Sequence, residues 1–445
     1  MCRVTAFVLL LLFTGSTLPA QETKGFAYYD KVTYEAYLQG DWHTVIREGK
    51  KALKSGFDTY YLRMRLGIAY YSRKNYQQAA VQFRRALSFS KGDVNALKYL
   101  YYSYLYSGRE ADRHALMHHM PVKLRQELET GRITGITAFD LTFDYFFKSS
   151  EEPSAADRQG SPPSDNGYRN IPYGGGSGAF LFTHQAGENV SLNYGYRFLR
   201  KNRFLTYQND EGLYYLEDNT LNQHQLYGGI TIRLAEGFTL ALSANYLNLR
   251  TPLPVRYGYG PSYLATISMG NGTGQLSLRK DFPFISVYGG AGISNINGLN
   301  QLQTDGGMIL YPLGNTNLYA GTTVSWLMQG TFSEDIRRVE SLIWSPFVGF
   351  RIVGTLWSEF FMTTGELSNY QYNGGWLLYN EMNPVSVSAG GSLIYVVPKN
   401  GMRITLSPSW HQATSYYFLT DDPSQKYDPV KYRMWNFKFG ISWNF

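Results

Sequence analysis

The sequence predicts an α+β multidomain protein: N-terminal α-helical repeats, then a C-terminal antiparallel transmembrane β-barrel of about fourteen strands. Three observations predict it. The last nine residues alternate in strict period two, with Phe437, Phe439, Ile441, Trp443 and Phe445 set against Lys438, Gly440, Ser442 and Asn444. A stretch near the N-terminus repeats itself at an offset of 34 residues. Through the C-terminal two-thirds, short turns alternate with long polar loops.

Composition sets the bounds. The chain has 445 residues, 16% aromatic but only 17% charged, with 45 Gly, a mix that leans toward β structure. No run reaches the ~18 apolar residues that a spanning helix needs. Barrel strands are only half apolar, so that absence leaves a membrane barrel open. Residues 1–20 read as a secretory signal: Arg3 supplies the positive start, Val8 to Phe13 the apolar run, and Leu18-Pro19-Ala20 the cleavage site. Cys2, the single Cys, would leave with the signal, so the mature chain is expected to hold no disulfide and no Cys-ligated metal.

Residues 21–131 read as the helical repeat domain. Asn75–Leu87 matches Asp41–Leu53, with Tyr76 on Trp42, Ala79 on Val45, Ala86 on Ala52 and Leu87 on Leu53. The period, together with Leu66, Gly67, Tyr70, Ala79, Phe83 and Ala86 in the clearest unit, resembles the tetratricopeptide repeat. Gly67 and Ala79 would let paired helices approach, and Tyr70 and Phe83 would fill the gap. A third, shortened unit begins near Val94. At least three units are needed for independent stability, so this domain is expected to lean on a neighbour or partner. It carries 18 Lys plus Arg and 11 Asp plus Glu. Such a basic surface would attract a periplasmic protein's acidic segment, anionic headgroups or another anionic cargo; a merely solvated basic face is the plainer reading. Nucleic acid is not an expected partner in that compartment.

Residues 132–445 read as the barrel. Phe139, Leu141, Phe143 and Tyr145 alternate with Ala138, Asp140, Thr142 and Asp144. Val190 to Phe198, Leu226 to Leu234, Phe238 to Tyr246, Val385 to Tyr395 and Met402 to Trp410 repeat the pattern. Short turns recur near 185–188, 235–237, 281–283, 313–317, 354–355 and 398–401, with long loops such as 149–170, 202–220, 365–383 and 414–430 between them. Six short turns and seven loops give an even strand count, so both barrel ends face the periplasm. One stretch breaks phase: Tyr263, Ala265, Ile267 and Met269 are odd-numbered, Leu276 and Leu278 even, which a bulge or an extra hairpin at Asn271–Gly274 would explain. Trp326, Trp344, Trp357 and Trp410 suit an interfacial girdle.

Alternation places Asp140, Asp144, Arg197, Arg233, Arg351, Glu359, Arg403 and Lys438 toward the lumen. Their mildly positive sum would favour anions in an open pore, or they pair across a plugged interior. Ser407, Ser409 and His411 share an inner face, but no Gly-x-Ser-x-Gly accompanies them, and the chain is read as no enzyme. A barrel-wall lipid hydrolase is the remote alternative. His114, His118 and His119 lie on a probable helix without the Glu of a metalloprotease motif, so no metal and no cofactor is expected. The segment 368–380, rich in Tyr, Asn, Gly and Trp, suits sugar stacking or an ordinary exposed barrel loop.

The final strand resembles the terminal strand of bacterial outer-membrane barrels, which implies that Phe437, Phe439, Ile441, Trp443 and Phe445 are what the barrel-insertion machinery reads. Helical repeats ahead of a barrel resemble the YaiO-like family and, more distantly, exopolysaccharide exporters and the modulators that move lipoproteins to the cell surface. The resemblance implies an outer-membrane protein with its repeats in the periplasm, working in transport, export or assembly; a structural or adhesive plugged barrel is the alternative.

Overall fold

The computed structural model describes residues 25–128, 134–149, 166–234, 237–255, 263–330, 339–380, 383–398, 401–420 and 426–445. The signal at 1–20 and the boundary at 131/132 lie outside them. Among the described residues there are seven α-helices followed by sixteen strands, with a single 3-10 turn, Ile296–Gly298, among the strands.

The helices run α1 (Phe26–Leu38), α2 (Trp42–Lys54), α3 (Tyr60–Ser72), α4 (Tyr76–Phe89), α5 (Val94–Tyr106), α6 (Glu110–His119) and α7 (Val122–Glu127). α1, α3 and α5 each begin 34 residues after the last, and so do α2, α4 and α6. Local chemistry sets the period. The turn inside each pair passes through a left-handed residue, Gly40, Lys74 or Gly108. Asp41 and Asn75 then cap the second helix of their pairs, accepting from Thr44 N and Gln78 N, each at 3.1 Å. Gly67 lies against the Phe83 ring so closely that a Cβ would sit 2.5 Å from its Cε1. Phe83 is fully buried and stacks on Tyr99 at 5.2 Å.

Asp58 ties the second pair together. Its carboxylate accepts two bonds from Arg63 on α3, at 2.7 and 2.8 Å, and one from Arg85 on α4 at 3.4 Å. The Arg63 hydrogen bonds hold its pKa below the usual value, against the opposing effect of burial. A depressed carboxyl pKa stabilises the fold above the unfolded-state value, and that contribution is lost as pH falls through the folded-state value. Helix melting in the intact protein, followed at 222 nm, is therefore expected to hold steady down to about pH 5 and to weaken below about pH 4. Asp58→Asn should lower stability at neutral pH and flatten that acid limb; an unchanged limb refutes the assignment.

The strands run β1 (Gly135–Lys148), β2 (Gly167–Gln185), β3 (Val190–Asn209), β4 (Gly212–Arg233), β5 (Phe238–Val255), β6 (Tyr263–Asp281), β7 (Ile285–Ser294), β8 (Asn300–Leu310), β9 (Leu318–Gly330), β10 (Val339–Val353), β11 (Leu356–Thr364), β12 (Tyr370–Tyr372), β13 (Leu377–Tyr379), β14 (Val385–Val396), β15 (Met402–Leu419) and β16 (Lys426–Asn444). Fourteen of them close an antiparallel barrel in chain order, β16 pairing with β1 from Asn444↔Ala138 to Met434↔Lys148. β12 and β13 pair only with each other. The outer face exposes Tyr145, Leu226, Leu406, Phe360 and Phe437, each about half or more bare. In water that belt would be an aggregation surface; in hydrocarbon it is the solvated face of a sheet without a free edge. The fold is that of an outer-membrane β-barrel.

Three sequence expectations change. The phase break at 263–280 is neither bulge nor hairpin: β6 pairs with β5 in unbroken register from Tyr263↔Val255 to Lys280↔Phe238. The surroundings switch instead. Leu276 and Leu278 point out toward lipid, whereas Ile267 and Leu264 pack with buried Leu205 and Leu253. Further out along β3 to β6 the apolar residues turn inward, Leu247 and Leu249 being buried. One outward row, Arg200↔Asn222↔Arg250↔Ser268, is polar across four strands. Second, much of 202–220 and 414–430 is not loop but the extension of β3, β4, β15 and β16. Third, Trp357 is no girdle residue: it shares the parity of inward Glu359, and its indole N–H donates to Thr316 O at 3.2 Å.

The helical region rests on the short turns. Gln77 N donates to Gly314 O at 2.9 Å and Asn315 Nδ2 to Lys74 O at 2.8 Å. His119 Nε2 lies 3.7 Å from Glu188 in the β2–β3 turn. Arg109, buried and paired with Asp112 at 2.7 Å, also feels Asp281 at the β6–β7 turn. These contacts join the helical region to the barrel's short turns.

Candidate functional site: a hairpin and a cavity in the lumen

The segment between β11 and β14 supplies the site. Read from composition as a surface loop, it instead folds into the barrel: Leu367, Ser368, Asn369, Tyr370, Gln371 and Asn380 are all buried. Gly365 starts the inward turn at φ 131°, where a Cβ would meet Leu342 O at 2.5 Å, so only Gly fits there. The β12–β13 hairpin lies against the β5–β10 side of the wall. Asn245 Nδ2 donates to Gly375 O at 3.0 Å, Ser243 Oγ to Gly374 O at 2.7 Å, and Gln303 Nε2 to Gln371 O at 2.8 Å. Tyr370 Oη and Ser325 Oγ are 3.0 Å apart, and Asn297 Nδ2 donates to Asn369 Oδ1 at 2.7 Å. An apolar contact with Leu327 and Ile343 backs Tyr370 and Leu367.

Between the hairpin and the opposite wall, formed by β10, β11, β14–β16 and β1–β4, lies a cavity of about 500 Å³. Hairpin residues Tyr372, Leu377, Leu378 and Tyr379 form one side of it. On the opposite wall Phe146, Leu199, Phe361 and Met434 are apolar, set among polar Gln223, Gln225, Ser388, Ser409, His411 and Asn436. One ladder row carries three of the charges: Glu359 faces Ser392, Ser407 faces Lys438, and Lys438 faces Asp144, which faces Ser177. Asp144 accepts from Ser177 Oγ at 2.7 Å and takes Arg197 Nη1 at 3.6 Å and Lys438 Nζ at 3.9 Å. The Arg197 guanidinium also covers the Trp376 ring of the hairpin at 5.3 Å.

Of the eight charges expected in the lumen, Asp144, Arg197, Glu359 and Lys438 line this cavity. Asp140 sits on the same inner face nearer the turns and accepts from Ser442 Oγ. The other three are corrected to the rim. Arg233 donates to Glu188 O at 2.7 Å and faces Asp112 of α6. Arg351 covers Trp357 at 5.0 Å and donates to Gly354 O at the β10–β11 turn. Arg403 is exposed at the start of β15. Lys201, Leu199 and Trp376 were missed. The Arg197-Leu199-Lys201 parity on β3 could have found the first two; nothing local marks Trp376.

Ser409 Oγ and His411 Nε2 are 3.0 Å apart, while Ser407 bonds Ser392 Oγ at 2.8 Å and Gly391 O at 3.2 Å. These residues lie mid-strand, with β15 laddered to β14 on one side and β16 on the other. Their backbone N–H groups therefore serve the sheet and cannot form the oxyanion hole of acyl transfer. The serines and histidine are a polar wall. Among the described residues no group of three or more His, Cys, Asp or Glu is placed to hold a metal.

No family model matches the chain, and a search of curated proteins finds no match. Similar solved structures include the toluene transporter TbuX of Ralstonia pickettii, at 9% identity and TM-score 0.42 over 71% of this chain and 90% of that one. The toluene transporter TodX of Pseudomonas putida matches at 10% identity and 0.43 over 74% and 92%. The outer membrane protein Omp33 of Acinetobacter baumannii matches at 9% and 0.32 over 70% and 99%. The likeness is of barrel to barrel and carries no ligand across.

Proposed function

We propose that this protein is a gated outer-membrane channel, closed by its own inward hairpin and served by a periplasmic docking domain. One observation carries the reading: the hairpin is a two-stranded sheet separate from the barrel ladder. Side-chain hydrogen bonds join it to the wall, beside the Tyr370 and Leu367 contact and the Trp376 ring set against Arg197 and Tyr227. Water can replace such bonds at small net cost, so the hairpin can leave without opening the barrel. The 34-residue recurrence of helices and caps supports tetratricopeptide-type repeats, with Leu66, Gly67, Tyr70, Ala79, Phe83 and Ala86 as their signature. Resting on the short turns, they would present a periplasmic protein or anionic cargo to the lumen. The lipid bilayer around the belt and the insertion machinery at the last strand complete the proposed partners.

Planar-bilayer recording tests this. The whole protein is expected to conduct rarely, and a variant with residues 366–383 replaced by a short Gly-Ser link to conduct steadily. A folded deletion variant that stays silent would return the chain to the structural, permanently plugged reading.

A further inference from the structure

We propose that the outward polar row of β3–β6 binds the phosphate headgroup of a membrane lipid, held between Arg200 and Arg250. This goes beyond the channel reading and rests only on the barrel's place in a membrane, not on the gate.

Position is the first argument. The outward face passes from Tyr196 and Phe198 to Arg200 on β3, from Leu226 to His224 and Asn222 on β4, and from Tyr246 to Asn248 and Arg250 on β5. These changes mark the edge of the hydrocarbon. The headgroup layer beyond it is roughly 5–8 Å deep and two strand residues rise about 7 Å, so the row lies in that layer. Convergence is the second. Arg200 and Arg250 both pair with Asn222, one from each side, which sets their backbones about 10 Å apart. Side chains of that length can close on one anion over Asn222. His224, exposed beside them, is fixed by Tyr196 Oη at 2.7 Å from its Nδ1. With the phenol donating there, the ring proton sits on Nε2, free to serve the same anion. Charge is the third. Both arginines are exposed, and neither has a hydrogen-bond or ion-pair partner among the described residues. From this row back through the belt, no outward residue of β3–β6 is Asp or Glu. Asp218, farther out on β4, is taken by Tyr173 Oη at 2.9 Å. Arginine forks match phosphate oxygens, and a lipid held by its phosphate also lays its chains along Leu226 and Tyr246, 58% and 53% exposed. Free phosphate lacks that second contact.

The test titrates whole protein in non-ionic detergent with dioleoyl phosphatidate or dioleoyl phosphatidylcholine and counts bound lipid by native mass spectrometry. Phosphatidate is expected to fill one site about tenfold more tightly than phosphatidylcholine, whose own cation shields its phosphate. Arg200→Gln with Arg250→Gln should bring the two lipids level. Lys431 and Arg433, outward cations that follow one another on the single strand β16, supply the control. Lys431→Gln with Arg433→Gln removes the same charge and should leave the preference intact. Each variant is first shown to be folded by its heat-dependent shift on gels. Equal binding of both lipids to the unaltered protein overturns the proposal, as does equal loss in the two double variants, which would make the attraction one of diffuse charge. Displacement of phosphatidate by millimolar inorganic phosphate would assign the row to the free ion and overturn the lipid. Conductance of the hairpin-deleted form bears on the gate alone, so either reading can fail without the other.

Discussion

Deleting Phe437–Phe445 is expected to abolish the folded barrel outright. These residues are the turn-proximal half of β16, laddered to β1 from Tyr145↔Phe437 to Ala138↔Asn444 and to β15 from Pro408↔Phe437 to Met402↔Trp443. Their loss would leave two facing strand edges in hydrocarbon, where each unpaired backbone group costs several kcal/mol. No compensation is available in lipid, so no heat-shifted, protease-resistant species should form, in cells or on refolding into detergent. Phe445→Ala separates closure from recognition. Its backbone N–H still donates to Thr137 O at 2.9 Å whatever the side chain, and only the stack on Trp443 at 5.2 Å is lost. Refolding in vitro should then survive while membrane insertion in cells falls; equal loss in both would show that the aromatic end is structural only.

The second large effect belongs to the helical region. Phe83→Ala should cost about 3–5 kcal/mol, because a fully buried ring wedged between Gly67 and Tyr99 leaves a cavity that neighbouring helices cannot close. Thermal loss of helix signal in the intact protein is the measurement, and the barrel's own heat shift should stay put. Gly67→Ala approaches the same contact from the other side, forcing its Cβ into the ring at a cost of about 1–3 kcal/mol. Combined with Phe83→Leu it should cost less than the two changes added together, since the smaller side chain admits the methyl. Strict additivity would mean the close approach is not what holds α3 to α4.

Period-two alternation made the barrel legible because each spanning strand meets two unlike media, and strand count followed from turns. The same rule misled at Tyr263–Met269. Alternation records which face is apolar, not which side is lipid, and outside the bilayer the apolar face points inward. Segment 365–383 was illegible for a related reason. Tyr, Asn, Gln and Gly serve a water-facing loop and a polar lumen equally well, and only the partners Asn245, Gln303 and Ser325 distinguish them. Parity put Asp144, Arg197, Glu359 and Lys438 on the face that lines the cavity. It could not say that Arg233, Arg351 and Arg403 stop at the rim, because height along the axis has no signature in alternation. The helical period was readable because Asp41–Leu53 and Asn75–Leu87 repeat locally, whereas the capping by Asp41 and Asn75 shows only in the structure.

The reversal of β3 to β6 past the row Arg200, Asn222, Arg250 and Ser268 reaches beyond folding. β3 and β4 are 20 and 22 residues long, where roughly ten suffice to cross. The remainder stands clear of the membrane as a rigid parapet with an oily heart and a hydrophilic skin. At the end of the barrel remote from the helices this edge is a braced, hydrogen-bonded rampart, whose shape survives changes to its skin.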